Sequence, residues 1–531
     1  MNLSAYKNYL FLILVLWPSE YVLPQEVPQP VKNYGIYEFL DELASLQIIE
    51  INSAIKPYSR LLIANKLKEA DQKREILNSR QQKELDFYLM DFGKELYPGK
   101  DWKRRKDLFY YKDSLFSLTV NPILGGEIFT NSSGQAHYLR NGVEARGYVQ
   151  HWGFYASLRD NHEKPLLGKP EYLTKREGGH IKGTTDWSEM QGGVTWSWKW
   201  GNIEFAKERL EWGNNYNGAN ILGGNNPTYV ALRLNLKPAK WFEFNYFHGW
   251  LNSMVVDSSR SYWVSNSYGT DYREVYHKKF IAANMFTVIP VRNLHISAGN
   301  SIVYTDKHFN PIYLMPLFFY KSVDHSYTSG VENMNSQTFI DISSRNIRNL
   351  HLYLTLFIDE LSVARFSKKD EWNFFSWKTG FRLYNLPVQN LSFTTEFTYT
   401  YPLTFQHYVP TLTFENAGYN LGHYLRDNSR EWYLAIDYKP LRTLKAGLYF
   451  TDAVRGPDYT ELGTDRVGNP PLATIQWHSA IFGIRASYQI INDLYSWFDL
   501  SSSNITGDQR WSPEYFYGKK VTLNLGATFG F

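Results

Sequence analysis

From about residue 114 to the end of the chain, apolar and polar residues alternate one for one. The last segment shows the pattern most fully. Val521, Leu523, Leu525, Ala527, Phe529 and Phe531 share one parity, and Thr522, Asn524, Gly526, Thr528 and Gly530 share the other. Successive side chains of a β-strand point to opposite faces, so each such segment makes one apolar and one polar surface. Leu232, Leu234 and Leu236 alternate with Arg233, Asn235 and Lys237. Trp196, Trp198 and Trp200 alternate with Thr195, Ser197 and Lys199, and Leu391, Phe393, Phe397 and Tyr399 with Ser392, Thr394, Glu396 and Thr398. About eighteen such segments start near 115, 136, 151, 190, 202, 228, 241, 279, 293, 337, 350, 372, 390, 431, 442, 479, 493 and 520.

The joints between them constrain the architecture further. Short joints lie near Trp200–Asn202, Lys237–Lys240, Pro290–Asn293, Ser344–Asn349, Asn385–Asn390, Lys439–Leu441 and Ile490–Asn492. Long polar segments lie at 160–189, 211–227, 251–278, 304–336, 359–371, 401–430, 451–478 and 501–519. Strict alternation of short and long joints is the pattern of an outer-membrane barrel, with short periplasmic turns and long extracellular loops. Long first and last joints would put both chain ends on the short-turn side, with an even strand number. The soluble alternative, a set of β-sandwich domains, predicts no such alternation and leaves the 40 Tyr, 33 Phe and 17 Trp unexplained. A closed barrel also satisfies every backbone group in lipid, which an open sheet does not. The expected fold is an all-β transmembrane barrel over 114–531, closed by a final strand that assembly machinery reads as its insertion signal.

The first hundred residues follow other rules. Lys7 precedes an apolar run from Tyr9 to Trp17, then Pro18, which is the length of a signal peptide and too short for a membrane helix. Residues 1–25 are therefore expected to be a signal peptide that exports the chain. From 31 to 110 the apolar period is helical and predicts a small periplasmic module. Ile36, Phe39, Leu40, Leu43 and Leu46 share one face of a first helix; Pro57 and Ser59 open a second with Leu62, Ile63 and Leu67 inward. Ser79 and Gln82 read as a capping-box pair for a third, burying Leu85, Leu89, Phe92 and Leu96. The charged stretch Lys100–Asp107 reads as a solvated linker.

Little in the chain announces chemistry. With no cysteine there is no disulfide scaffold, thiolate metal site, cysteine nucleophile or lipidated cysteine. The balance of 56 Lys+Arg against 52 Asp+Glu does not argue for nucleic acid. HExxH, P-loop, GxSxG and dinucleotide motifs are missing, and Gly223–Gly224 is a loop signal only. His407, His423 and Asp427 share a loop without a marked serine, and no cofactor or enzymatic role is expected. Lys207-Glu208-Arg209-Leu210-Glu211 carries four charges at a strand's outer end; charges on a barrel strand are expected to face the lumen, as an ion-pair ladder or as ligand contacts. Asp359 and Glu360 are expected to partner lumen arginines. Loop aromatics form the second feature: Tyr262, Trp263, Tyr268 and Tyr272; Tyr408, Phe414, Tyr419 and Tyr424; Trp511, Tyr515 and Tyr517. Rings beside Asn and Asp suit carbohydrate, stacking on the apolar sugar face while amides bond hydroxyls.

The chain resembles the capsule assembly (Wzi) family of bacterial outer-membrane proteins. The resemblance is carried by Tyr34–Leu43 and Lys56–Arg60, then Glu211–Gly213, Asn310–Leu314, Leu356–Glu360, and Tyr419–His423 ahead of Asp427–Ser429. It implies an eighteen-stranded barrel with a periplasmic helical bundle, acting as a lectin that holds capsular polysaccharide at the cell surface. A porin or solute channel, which a polar lumen permits, and an outer-membrane hydrolase are the alternatives. The expected partners are surface polysaccharide, outer-membrane lipid and, during biogenesis, the barrel assembly machinery.

Overall fold

The computed structural model describes residues 26–96, 103–181, 183, 185–267, 269–327, 333–462 and 467–530. The expected signal peptide, Tyr268 and Phe531 lie outside the described residues. Eighteen antiparallel strands form a closed barrel. They are β1 Phe116–Asn131, β2 Gly134–Val149, β3 Trp152–Lys164, β4 Asp186–Trp198, β5 Gly201–Glu208, β6 Tyr229–Ala239, β7 Phe242–Val256, β8 Tyr276–Val291 and β9 Leu294–Thr305. The second half is β10 Met334–Ser344, β11 Leu350–Glu360, β12 Phe374–Tyr384, β13 Leu391–Thr400, β14 Ser429–Tyr438, β15 Leu444–Arg455, β16 Trp477–Ile491, β17 Leu494–Gly507 and β18 Gly518–Phe529. The barrel closes where β18 pairs with β17 on one side and with Leu124–Thr130 of β1 on the other. Each start expected from the alternation falls within four residues of a strand start.

Short turns gather at one end. Several hold a residue in the left-handed region, such as Asn293 (φ 65°), Asn349 (φ 71°), Asn390 (φ 65°) and Asp493 (φ 61°). Asn and Asp tolerate that conformation because their short polar side chains bond locally. The opposite end carries the long loops, with one correction. The first joint at that end, between β1 and β2, is a two-residue turn at Ser132 and Ser133, so the alternation is not strict. The even strand number still returns the chain to its starting end.

Parity sorts the wall into two faces. Leu124, Ile128, Leu139, Val143, Phe154 and Leu158 point outward and are exposed, while Arg159, Glu189, Glu204, Arg233, Glu396 and Asp437 point inward and are buried. Lys207 departs from the expectation that every strand charge faces the lumen. It shares the parity of outward-facing Phe205, and its Nζ donates to the Met190 carbonyl at 3.0 Å. At a strand's outer end a long lysine can carry its charge out to water.

The N-terminal module consists of three helices, α1 Tyr34–Ser45, α2 Arg60–Asp71 and α3 Ser79–Phe92. Ile36, Phe39, Leu40, Leu43, Ile63, Leu67, Leu85 and Phe92 bury in one cluster. Ser59 caps α2, accepting from the Leu62 N–H at 3.1 Å. The capping box of α3 sits one residue earlier than the sequence signal placed it. Asn78 accepts from the Gln81 N–H at 2.9 Å and Gln81 from the Asn78 N–H at 3.0 Å. The described part of the expected linker is solvated at Lys103, Arg104 and Lys106 but anchored between them: Arg105 is buried and pairs with the Asp107 carboxylate at 3.0 Å, and it also pairs with Asp493 of the β16–β17 turn. The module docks against the short-turn end. Ser45 accepts from the Asn349 N–H at 2.8 Å, Asn78 donates to Asn390 at 3.0 Å, and Glu38 pairs with Lys445 at 2.6 Å.

One long loop does not stand above the barrel. After β9 the chain folds back over the outward face of β7, β8 and β9, through a turn at Pro311–Leu314 and a helix, α4 Tyr320–Tyr327. Outward-facing Asn284 donates to the carbonyls of Pro316 (2.8 Å) and Phe318 (2.9 Å), and Asn300 accepts from the Tyr320 N–H (2.9 Å). Tyr313 and Tyr320 are buried against Tyr246, Phe280 and Tyr304. The flap's own outer surface is apolar, with Leu317 68% exposed beside Met315 and Phe319.

Candidate functional site

The lumen is crossed by chain arriving from both ends. Ile55–Lys56, after α1, pairs with Glu211–Trp212 of the β5–β6 loop, which pairs in turn with Leu222–Gly223. Gly213, at φ +100°, passes its N–H to the Ala54 carbonyl at 2.8 Å. The Gly223 N–H reaches Leu421 O of the β13–β14 loop at 2.7 Å. Around this crossing Trp212, Ile221, Leu222, Phe405, Phe414 and Leu421 pack on inward-facing Phe247, Met285, Phe339 and Phe357. One side of the lumen is thus filled by an apolar core built from loops that the sequence reads as polar.

Beneath it a polar hub ties the module to the wall. Asp41 of α1 pairs with Arg345 and accepts the hydroxyls of Tyr216 (2.6 Å) and Tyr384 (2.6 Å). Burial opposes ionisation of Asp41, but Arg345, His351 and Arg382 outweigh it and hold the carboxyl well below the usual carboxylate range.

The charged segment after β5 is divided. Arg209 is buried and bridges Glu189 (2.6 Å) and Glu177 (3.5 Å), and Arg159 shares both acids. Glu211 pairs with Lys56 at 2.7 Å. Glu208 pairs with no base within 4.0 Å among the described residues and accepts from the Arg209 N–H at 2.9 Å. Asp359 is held by the amides of Asn335 (3.0 Å) and Gln337 (3.3 Å), not by an arginine as expected; Glu360 meets Arg365 of the following loop at 2.6 Å. His423 lies 3.4 Å from Glu431, whereas Asp427 takes the backbone N–H groups of Phe405 and Gln406, so His423 and Asp427 are turned to different partners. Among the described residues, no three His, Cys, Asp or Glu side chains group so as to hold a metal ion.

The loop aromatics separate into two sets. Tyr262, Trp263 and Tyr272 stand on a two-stranded hairpin, Tyr262–Asn266 against Gly269–Arg273, above β7 and β8. Trp263 is 69% and Tyr262 56% exposed, and the Trp263 and Tyr272 rings lie opposite each other at 5.0 Å. Tyr408 is also exposed, beside His407 at 4.3 Å. The others turn inward. Tyr419 donates to Gly168 O at 2.8 Å, Tyr424 to Glu431, and Tyr517 to Gly507 O at 2.6 Å. Trp511 is 4% exposed, packed on Leu173, Leu425 and Trp477 with Arg455 at 3.8 Å over its ring. Tyr515 is buried with Phe129, Ala136 and Leu167. Trp511 and Tyr515, read from the sequence as sugar-stacking loop rings, are therefore core residues of the outer cap, and replacing them would cost stability.

On the other side of the lumen a chamber of about 830 Å³ remains, between α1 and the β3–β4 loop. Its walls carry Arg140, Lys175, Arg176, Arg485 and several rings, Trp187 and Tyr449 among them. Sequence reasoning passed over it, although parity alone puts Tyr138 and Arg140 on one inward face.

The fold is a barrel of outer-membrane type whose lumen is crossed and partly filled by its own loops and N-terminal segment. No protein-family model matches the chain, and no curated relative matches it. Its fold is similar to Wzi, an outer-membrane protein involved in group 1 capsule assembly in Escherichia coli and described as a carbohydrate-binding β-barrel. The two superpose with a TM-score of 0.59 at 12% identity, over 96% of this chain and 99% of that one. Looser likenesses are Pseudomonas aeruginosa OccD3 (TM-score 0.42, 13% identity, 78% of this chain and 90% of that one) and Acinetobacter baumannii OccAB3 (0.44, 10%, 78% and 99%).

Proposed function

We propose that this chain is an outer-membrane protein that binds and displays surface polysaccharide, with its loop end outside the cell and its helical module in the periplasm. The observation that carries the reading is the strand Ile55–Lys56 paired inside the lumen with Glu211–Trp212. A barrel crossed in this way is suited to presenting a surface rather than to passing solute. The surface it presents includes the Tyr262–Arg273 hairpin, where Trp263 and Tyr272 offer adjoining ring faces beside Asp271 and Arg273. Rings of this kind stack on sugar while flanking polar groups bond hydroxyls. Each contact is weak, and a repeating polymer that engages many copies is retained because linked sites raise effective concentration.

The test is polymer retention on washed cells. Replacing Tyr262, Trp263 and Tyr272 together by Ala should release polysaccharide into the medium while leaving the barrel heat-modifiable on gels. Full retention both in that variant and in a strain lacking the protein would overturn the reading.

A further inference from the structure

Nine cationic side chains line the lumenal chamber against six carboxylates. All six carboxylates are engaged. Glu38 pairs with Lys445 (2.6 Å), Glu127 and Glu163 with Arg176 (3.3 and 2.5 Å), Glu177 with Arg159 (2.6 Å) and Asp437 with Arg485 (2.8 Å), while Asp499 accepts the Tyr449 hydroxyl (3.1 Å). Four of the cations are not matched. Among the described residues, Lys32, Arg140, Lys175 and Arg442 have no carboxylate oxygen within 4.0 Å. Lys175 donates to the Asn217 amide oxygen at 2.5 Å, and Arg140 to Thr528 and to Gly530 O at 3.0 Å. Arg442 lies 3.9 Å over the Phe87 ring, with its buried Nη1 unbonded. Uncompensated cations away from bulk water are costly, and an anion among them would remove that cost.

Rings share the same walls. Tyr34, Trp187, Tyr433, Tyr449 and Trp497 line the chamber, and Tyr34 is exposed to it. Its volume of about 830 Å³ lies within the range of about 300–1,000 Å³ of small-ligand sites. The β3–β4 loop that gives Thr174–Glu177 to its wall is anchored in two apolar clusters, Leu173 with Trp511 and Leu167 with Tyr515. Below, the chamber reaches Lys439, Arg442 and Thr443 in the β14–β15 turn, beside α1.

We propose that the chamber is a second binding site, entered from the short-turn end, for a carboxylate-bearing saccharide segment. Carboxylates would meet Lys32, Arg140, Lys175 and Arg442, and sugar faces would meet the rings. Free phosphate would satisfy the cations alone and leave the rings unused; a neutral sugar would do the reverse. The site is separate from the outer hairpin. Polymer retention on cells reads the hairpin and binding of a short saccharide reads the chamber, so either reading can fail without the other.

The experiment is calorimetric titration of the purified full chain in detergent, at low ionic strength, with tri-galacturonic acid. Maltotriose and inorganic phosphate serve as comparison ligands. The triuronate should bind at least tenfold more tightly than either. Lys175→Gln combined with Arg442→Gln should weaken it at least tenfold with heat-modifiability retained, and Lys369→Gln, in the exposed β11–β12 loop, should leave it unchanged. Arg140→Gln alone provides a second variant should the double one not fold. Since the chain has no cysteine, Thr443→Cys gives a single labelling site, and the triuronate should slow its reaction with a maleimide. Equal binding of maltotriose, or unchanged affinity in the charge variants, would overturn the anionic saccharide assignment. Phosphate binding as tightly as the triuronate would reduce the site to a simple anion pocket and overturn it likewise, and labelling unaffected by the triuronate would overturn the entry route.

Discussion

Asp427 shows how a single side chain can make an outer loop sensitive to pH. Its two carboxylate oxygens take the N–H groups of Phe405 (2.7 Å) and Gln406 (2.9 Å), pinning the start of the β13–β14 loop to its end. Burial pushes its carboxyl up to about 6, against the pull of those two donors and of Arg455. A carboxyl whose folded pKa is raised contributes stability below its unfolded value, and that contribution is lost as pH rises through the folded one. The effect is at most on the order of 2–3 kcal/mol. His423, in the same loop and kept neutral by burial beside Glu431, works in the opposite direction. The comparison that isolates Asp427 is therefore with Asp427→Asn. As pH falls from 8 to 4, the native loop should gain protection relative to the variant, measured as hydrogen exchange at the Phe405 and Gln406 amides after correction for intrinsic rates. A difference independent of pH would show that this carboxyl does not titrate in the range. In sequence Asp427 stands out only as a loop neighbour of His407 and His423; the burial and the two backbone donors that shift it are set by the tertiary fold.

At the scale of elements, the alternation of period two located the strands because the barrel wall has only two environments and every residue must choose one. It misplaced the segment after β9 for the same reason. Asn284 and Asn300 sit at outward parity, where amide groups facing hydrocarbon would be expensive, and the flap's carbonyls at Pro316 and Phe318 satisfy Asn284. Asn284→Leu should leave those two carbonyls unpaired beneath the flap, at about 1–3 kcal/mol each. The flap should then open, and limited trypsin digestion should cut at Lys321, which the native protein should resist. Unchanged digestion would mean that the packing of Tyr313 and Tyr320 alone suffices. The capping box of α3 teaches a smaller lesson. Ser79 and Gln82 have the right spacing, but so do Asn78 and Gln81, and Asn78 is the residue left outside the helix in an extended conformation.

At the scale of the whole molecule, closure depends on contacts between segments hundreds of residues apart. Asp41 and Arg345 join α1 to the β10–β11 turn, and Tyr216 brings the β5–β6 loop to the same carboxylate. The intact protein should therefore give no steady ion conductance in planar bilayers. Asp41→Ala leaves the Arg345 guanidinium buried without its partner, a loss of about 3–5 kcal/mol for pairs of this kind. It should loosen the module and produce flickering openings. Because the Asp41 carboxyl is held below its usual range, its contribution to docking is present above the unfolded value near 3.8 and is lost only as pH falls through the depressed one. Docking should thus be indifferent to pH between 5 and 8. A steady conductance in the intact protein would favour a channel.

What the chain determines by itself is local and periodic. Parity assigns Leu232, Leu234 and Leu236 to one face and Arg233 and Asn235 to the other whatever lies opposite, and joint length sets which strands are neighbours, because both act over a few residues. The destination of the long loops is a different matter. Trp212, Phe405, Phe414, Trp511 and Tyr515 are buried only because a barrel of eighteen strands leaves a lumen too wide for its own side chains to fill, and the loops with enough rings fold in to occupy it. Tyr262, Trp263 and Tyr272 have the same composition around them and stay outside, because their segment pairs with itself as the hairpin Tyr262–Asn266 against Gly269–Arg273. Only the packed tertiary structure distinguishes the two fates, because the space that separates them is enclosed by strands from the whole length of the barrel.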